Sequence, residues 1–417
     1  MVSDAQLSRI GAQLNMVAAS PLRFLTAFGA KTHGYQLRPP PPESRVSSFE
    51  TQHGIALPEG YRRFILGLGD GGAGPGYGLL SLADAYEQVS DSFAGHLAAP
   101  SPFVPGTRYE PDWWDGFWGP DDRPDPQQGT LAIVHHGCTS YTLLVVSGPG
   151  WGRLVNVDLN GAPAPYVLED EDFLSWYERW LDELVAGYDV TWFGEKIPGD
   201  EARLLGILSD DPSPHRRARA ARSLGTLPAL SPTGVRGLAA AVADDDPLVR
   251  EAALRVGARH RAAGLEPAAR ARLADVEAPV RATVIGFLAA LDVSDLADQA
   301  RVLLGDPDRE VRRRAMQALA DTGTMTVADL ARLVAGPDAG SREFATYLLA
   351  RVQGGVVDLL AGALDDDDPR VRRQAVQTAE KRAERALLPA MRRMLETETD
   401  AYVRTNLTRV ARAWMSD

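Results

Sequence analysis

An Asp-Pro pair followed by Val-Arg recurs through the second half of the chain: DPLVREAALRV from Asp246, DPDREVRRRAMQAL from Asp306 and DPRVRRQAV from Asp368. Looser copies begin at Asp211, Ala278, Ala339 and Asp400. Aligned on one arginine, the copies give Arg217, Arg250, Arg281, Arg312, Arg342, Arg372 and Arg404, spaced by 33, 31, 31, 30, 30 and 32 residues. Seven copies at a near-constant period of this size mean a solenoid.

Each copy reads as a helix start. Asp before Pro predicts a cap: the carboxylate takes free N–H groups, and Pro in the first turn needs no donor. Relative to the arginine, small or apolar residues fall at −1, +3 and +7, as in Val249, Ala253 and Gly257 or Val311, Ala315 and Leu319. That spacing is one face of an α-helix. Shorter helical patterns precede these, at 293–304 and 355–364, so two helices and two turns fill about 31 residues.

The fixed arginine needs a reason of its own. A cation in the first helical turn opposes the helix dipole by about 0.3–1 kcal/mol. Recurrence in register predicts a compensating acid from the cap of the adjacent repeat, Asp246, Asp306 and Asp368 being the candidates, stacked into a ladder. This D-P-x-V-R-x-x-A register resembles the short HEAT-like repeat, a type found also in phycobilin lyase subunits, over residues 200–417. The resemblance implies an all-α solenoid of about seven repeats, used for binding macromolecules.

The first half follows other rules. Residues 1–199 hold 12 Lys and Arg against 24 Asp and Glu, whereas 200–417 hold 32 of each. Seven of the eight tryptophans lie there too, which points to a second kind of domain, 1–195, with the boundary expected at the Gly- and Pro-bearing 193–202. Residues 44–68 read as two helices broken at Gly54, the second with Tyr61, Phe64, Ile65 and Leu68 on one face. Strand-like runs follow at 130–136, 141–148, 152–159 and 165–169, joined by short turns, and then an amphipathic helix over 171–188. The expected fold is α+β, an antiparallel sheet with flanking helices.

Gly69-Asp70-Gly71-Gly72-Ala73-Gly74 satisfies G-x-G-x-x-G, but it follows a helix and leads into extended chain. A dinucleotide turn follows a strand and opens a helix. The run therefore reads as a turn from helix to strand. With Glu50, the Leu-Pro at 57–58, Tyr61, Phe64, GDGGAGPGYGLL, HHGC at 135–138 and LLVVSGPGWGRLVNVD, it resembles the SUKH superfamily of Smi/Knr-like domains over about 40–190. That resemblance implies a protein-binding module, common among bacterial immunity proteins against toxins, with no catalytic residues. Asn156 stands in a region where that family often has Trp.

Candidates for chemistry are few. On a strand His135 and His136 point to opposite faces, so they do not share a metal. Cys138 and His136 read as a buried thiol and a strand-end histidine, and act as nucleophile and base only if the fold supplies further partners. The Asp runs at 244–246 and 365–368 precede helix-start prolines and read as caps. No cofactor, metal or catalytic residue is expected. The Pro- and Gly-rich 109–129 carries Asp112, Trp113, Trp114, Asp115, Trp118, Asp121 and Asp122, and is the candidate partner-binding loop, either as exposed anchors or as aromatics folded onto the sheet.

No apolar run is long enough for a membrane span, no secretory leader is evident, and one cysteine suits a reducing compartment, the cytoplasm. Nucleic acid is disfavoured by an acidic half and a neutral one. The expected function is protein binding, as an immunity protein against a basic toxin. The alternatives are a HEAT-repeat scaffold or regulator of cellular proteins, and a lyase-like or hydrolase enzyme. The oligomeric state is left open.

Overall fold

The computed structural model describes residues 4–19, 27–89, 94–109, 111–116, 125–161, 164–191 and 193–416. The chain divides into two compact units, Met1–Asp211 with Arg222–Leu230, and Pro212–Ala221 with Ser231–Asp417. The segment 193–202 lies inside the first of these.

The first unit is built on a four-stranded antiparallel meander in the order β1 (Thr130–Gly137), β2 (Ser140–Val145), β3 (Leu154–Asp158) and β4 (Tyr166–Val167). Thr130 pairs Val145, Leu144 pairs Leu154 and Val155 pairs Val167. Helix Phe173–Val185, capped by Asp172 accepting the Ser175 N–H, buries Phe173, Trp176, Tyr177 and Trp180. Helix Glu59–Gly67 meets it through aromatic edges, Tyr61 on Phe173 and Phe64 on Tyr177, with ring centroids 5.1 and 4.7 Å apart. Such rings bury large apolar area and add about 0.5–1.5 kcal/mol per pair beyond it. Helix Asp4–Ala19 joins the same helix, where Arg9 bonds Glu178 and Gln13 bonds Asp182.

The glycine run is explained by close backbone approach. Gly72 exchanges both backbone hydrogen bonds with Leu79, Ala73 N–H donates to Gln36 O, and Leu80 N–H reaches Ile133 O of β1. Gly71 and Gly72 have φ of +88° and +102°. A Cβ at Gly72 would stand 2.3 Å from Gln36 O, so neither space nor backbone conformation admits another residue. The run threads backbone from a helix to the sheet edge.

The second unit is all helix. Pro247–Arg259, Ala278–Ala290, Arg309–Asp321, Ala339–Leu348, Pro369–Arg382 and Ala401–Ser416 pack each on the next and form one layer. Shorter helices, among them Pro232–Ala241, Leu296–Leu303, Val327–Val334 and Val357–Leu364, pack behind their longer partners as a second layer. The −1, +3 and +7 positions are core: Val249, Ala253, Val311, Ala315, Leu319, Val371, Ala375 and Ala379 are buried. Asp246 and Asp368 are caps, accepting the N–H of Leu248 and Arg370. Asp306 is not. Its helix starts at Arg309 and is capped by Asp308, because Pro307 sits five residues before Arg312 rather than three.

Candidate protein-interaction surface

The register arginines form the predicted ladder; of the expected acids Asp306 is a partner, of Arg281, and Asp246 and Asp368 are not. Arg217 grips Asp244 through Nε and Nη2 at 2.9 and 2.8 Å, and Arg281 grips Asp306 at 2.8 Å through both. Arg342 holds Asp366 at 2.6 and 2.8 Å, Arg372 holds Glu398 at 2.8 Å through both, and Arg250 reaches Asp275 through Nη2 at 2.7 Å. Each acceptor stands two residues before a helix cap of the following repeat. It also accepts the backbone N–H two positions on, as Asp306 does from Asp308.

Asp246 and Asp368 therefore cap helices rather than pair register arginines, and Arg281 and Asp246 are not partners. The signal that identifies the pairing acid is an acid six residues before the arginine of its own repeat: Asp244, Asp275, Asp306, Asp366 and Glu398. Gly336 breaks that pattern. The rung it would complete is rebuilt by Arg312 on the cap Asp338 at 3.2 Å and on Ser341 Oγ at 3.1 and 3.0 Å.

Each guanidinium also donates backward, through Nη1, to its own loop: Arg250 to Asp244 O and Asp245 O, Arg281 to Asp275 O and Val276 O, Arg372 to Asp366 O and Asp367 O. One side chain thus satisfies carbonyls of one turn and a carboxylate of the next. Burial works to raise the carboxyls of Asp244, Asp275, Asp306 and Asp366. The bonds from arginine and from the N–H two residues on outweigh it and hold all four below the ordinary 3.8. The ladder is internal structure, and it leaves the outward positions of the helices unspent.

Those outward positions form a groove of about 440 Å³ across three consecutive arginine-bearing helices. Its floor is Pro279, Thr283 and Gly286, which are small and lie on one face of Ala278–Ala290. Its walls are long and charged, Arg255 bonded to Glu251 on one side and Arg314 bonded to Glu310 on the other. Further along the same layer, Phe344 and Tyr347 stack at 6.0 Å with Tyr347 exposed, and Tyr402 is 75% exposed.

The described tryptophans of the candidate loop, Trp113 and Trp114, are not exposed anchors. Asp112, Trp113, Trp114 and Asp115 lie on a short helix, Pro111–Gly116. Trp114 is buried in the core and Trp113 packs against it, stacked on Phe103 at 5.5 Å and edge-on to Tyr109 at 5.5 Å. Both rings turn inward because Phe103 and Tyr109 offer an aromatic surface. Asp112 and Asp115 are exposed. Trp118, Asp121 and Asp122 fall outside the described residues.

His136 is buried and bonds Thr142 Oγ1 at 2.7 Å. Burial, with help from His135, lowers its pKa to about 4. His135 stacks on Tyr141 at 4.8 Å and bonds Cys138 O. Cys138 is exposed, not buried, at a turn residue with φ of +49°. Among the described residues no cluster of three His, Cys, Asp or Glu could hold a metal ion. No helix among them is long and apolar enough to cross a membrane.

A family model described as HEAT repeats matches residues 329–412. No curated protein matches the chain. Among solved structures the chain is similar to YibA of Escherichia coli, at 17% identity over 58% of this chain and 89% of that one, with a TM-score of 0.42. It is similar also to a designed armadillo repeat protein in complex with the peptide (KR)4, at 17% identity over 52% of this chain and all of that one (TM-score 0.28). A structure of Kap95p bound to RanGDP matches at 11% identity over 57% of this chain and 38% of that one (TM-score 0.41).

Proposed function

We propose that this protein is a non-enzymatic interaction scaffold whose HEAT-like array offers the outward face of its arginine-bearing helices to a protein partner. The observation that carries this reading is the groove floored by Pro279, Thr283 and Gly286 between charged walls. The array satisfies its turns within the ladder, so the outward residues of the groove are not needed to hold the helices together. Small floor residues admit a polypeptide, and a mixed-charge rim orients it. Thr283→Trp fills the groove from an outward position. The wild-type chain is expected to cross-link to a defined partner in cell extract, and Thr283→Trp, at unchanged melting temperature, to lose it. Equal capture by both would remove the groove from the reading.

A finer reading makes the first unit the docking module, with a basic toxin as the partner it blocks. It is supported by the acid excess of residues 1–199 and by the Smi/Knr-like order of motifs. A field of one sign speeds encounter with the opposite sign and is screened by salt. The single cysteine suits the cytoplasm as the place of action. A cationic partner should associate more slowly as salt rises, and Asp112→Asn with Asp115→Asn should lower the on-rate further. A partner that binds at the same rate in low and high salt would remove it.

A further inference from the structure

The stretch Gly74-Pro75-Gly76-Tyr77-Gly78 carries a tyrosine that the first unit does not bury. The backbone around it is fixed by packing. Gly78 has φ of +97°, and a Cβ there would stand 2.2 Å from Gly72 O, so the loop has one course open to it. That course turns Tyr77 outward. It is 44% exposed, and the edge of its ring faces Gly137 at the hairpin turn between β1 and β2.

Tyr77 is one of four rings in a row. Its centroid lies 5.2 Å from that of Phe28, which is 39% exposed, and 6.3 Å from that of His135. His135 in turn stacks on Tyr141. None of the four is buried. The Tyr141 hydroxyl donates to Gln88 Oε1 at 3.2 Å, which holds this end of the row against the residue that follows exposed Glu87. Contiguous apolar area left in water, rimmed by polar groups, marks a surface made for contact.

Charge says what that surface takes. At the same end of the sheet Asp158, the last residue of β3, accepts Thr139 Oγ1 and Ser140 Oγ at 2.6 and 2.8 Å and the Asn160 N–H at 2.9 Å. Burial works to raise its carboxyl, and these donors outweigh burial and hold it below the ordinary 3.8. Among the described residues no lysine or arginine pairs with it. Residues 1–199 as a whole hold 24 Asp and Glu against 12 Lys and Arg. Such a field draws a cation to the surface, and a cation within about 6 Å of a ring face is then held by the ring itself.

We propose that the row of Phe28, Tyr77, His135 and Tyr141 is the docking surface for an arginine-bearing basic segment of a partner protein, whose guanidinium groups stack on the rings. The proposal rests on the reading of the first unit as a docking module for a basic partner, and names the surface and the residue type it recognises. A guanidinium is planar, weakly hydrated and stacks on an aromatic face, whereas an ammonium is a compact, strongly hydrated charge. Arginine and lysine segments of equal charge feel the same field, so only the rings separate them.

The test uses the full chain and two labelled synthetic peptides of equal length, one alternating arginine with glycine and the other lysine with glycine. Fluorescence anisotropy is expected to show the arginine peptide binding roughly tenfold more tightly, and both binding less well as salt rises. Tyr77→Leu keeps apolar bulk and removes the ring, and should weaken the arginine peptide to the level of the lysine one. Tyr77→Phe should bind as wild type does. Phe28→Leu carries the same expectation as Tyr77→Leu at a second position, and circular dichroism melts establish that each variant is folded. Equal affinity of wild type, Tyr77→Leu and Phe28→Leu for the arginine peptide overturns the proposal, as does equal affinity of wild type for the two peptides. If either result comes with weaker binding by Asp112→Asn with Asp115→Asn, the docking reading of the first unit survives and this surface does not. Failure of wild type to bind either peptide at low salt removes both.

Discussion

The two units hold polar groups in the interior by opposite means. In the first, each buried polar contact occurs once. Arg179 binds Asp170 through two nitrogens at 2.7 and 2.8 Å, also bonds Glu183, and Glu183 in turn takes Lys196. Tyr177 OH donates to Ala73 O, a residue 104 positions away. In the second, one contact is reused at each step over 24–29 residues. A one-off contact depends on the whole fold being in place. A reused contact depends only on its neighbour. Stability in the array is therefore a sum of near-identical local terms, and in the first unit it is a property of the whole.

The largest test of this difference is Asp275→Ala. Arg250 and Asp275 form the most buried rung, with side chains 7% and 2% exposed. Removing the carboxylate leaves a buried guanidinium short of its partner, at a cost of about 3–5 kcal/mol. Hydrogen exchange should show faster opening of Pro247–Arg259 and Ala278–Ala290, with the sheet unchanged. Uniform loss of protection across both units would contradict a local rung.

Acid should separate the units in order. His136 is neutral when folded, with a pKa of about 4 against an ordinary 6.5. Below pH 6.5 the unfolded chain takes a proton that the folded one refuses, so the stability this histidine contributes is lost as pH falls from 6.5 toward 4. That loss is of the order of 3 kcal/mol. The rung aspartates are depressed below 3.8, so their contribution is whole above about pH 4 and is lost as pH falls further. Near-ultraviolet circular dichroism, which follows the aromatic core, should change at higher pH than helix content does. The reverse order would overturn the assignment of the weak point to the sheet.

Tyr177→Phe removes the long-range bond to Ala73 and should cost about 1–3 kcal/mol, read by chemical denaturation of the first unit. Asp246→Ala should cost the least, about 1 kcal/mol for a lost cap. Paired with Arg281→Ala, Asp246→Ala should be additive, whereas Asp306→Ala with Arg281→Ala should not be. Coupling of the first pair would restore the cap aspartate to the ladder.

What was legible in the sequence follows the same division. The arginine register, the buried −1, +3 and +7 faces and the existence of a ladder come directly from the period. The identity of its acids did so only for Asp306. The eye-catching Asp-Pro marks caps at Asp246 and Asp368, while the pairing acid is marked only by distance from the arginine. The strands and the Phe173–Val185 helix were visible as periodic runs. The direction of Trp113 and Trp114 was not, because it is decided by Phe103 and Tyr109, whose position no local pattern encodes. The exposed Cys138 was missed for the same kind of reason: a two-strand turn placed it outside the sheet.

A joint that is the same from one repeat to the next makes the units between joints interchangeable. Cutting out residues 275–305 would bring Asp306 to the position of Asp275, facing Arg250, with Asp308 two residues on to cap the next helix, as Glu277 occupies the cap now. Whole periods can therefore be lost or duplicated without inventing a contact, whereas a fractional insertion spoils two joints at once. The step through Gly336 is the exception, because its joint is made from Asp338 and Ser341 and fits no other copy. Array length in such a protein is an evolutionary variable, adjustable in steps of about 31 residues on either side of one non-exchangeable link.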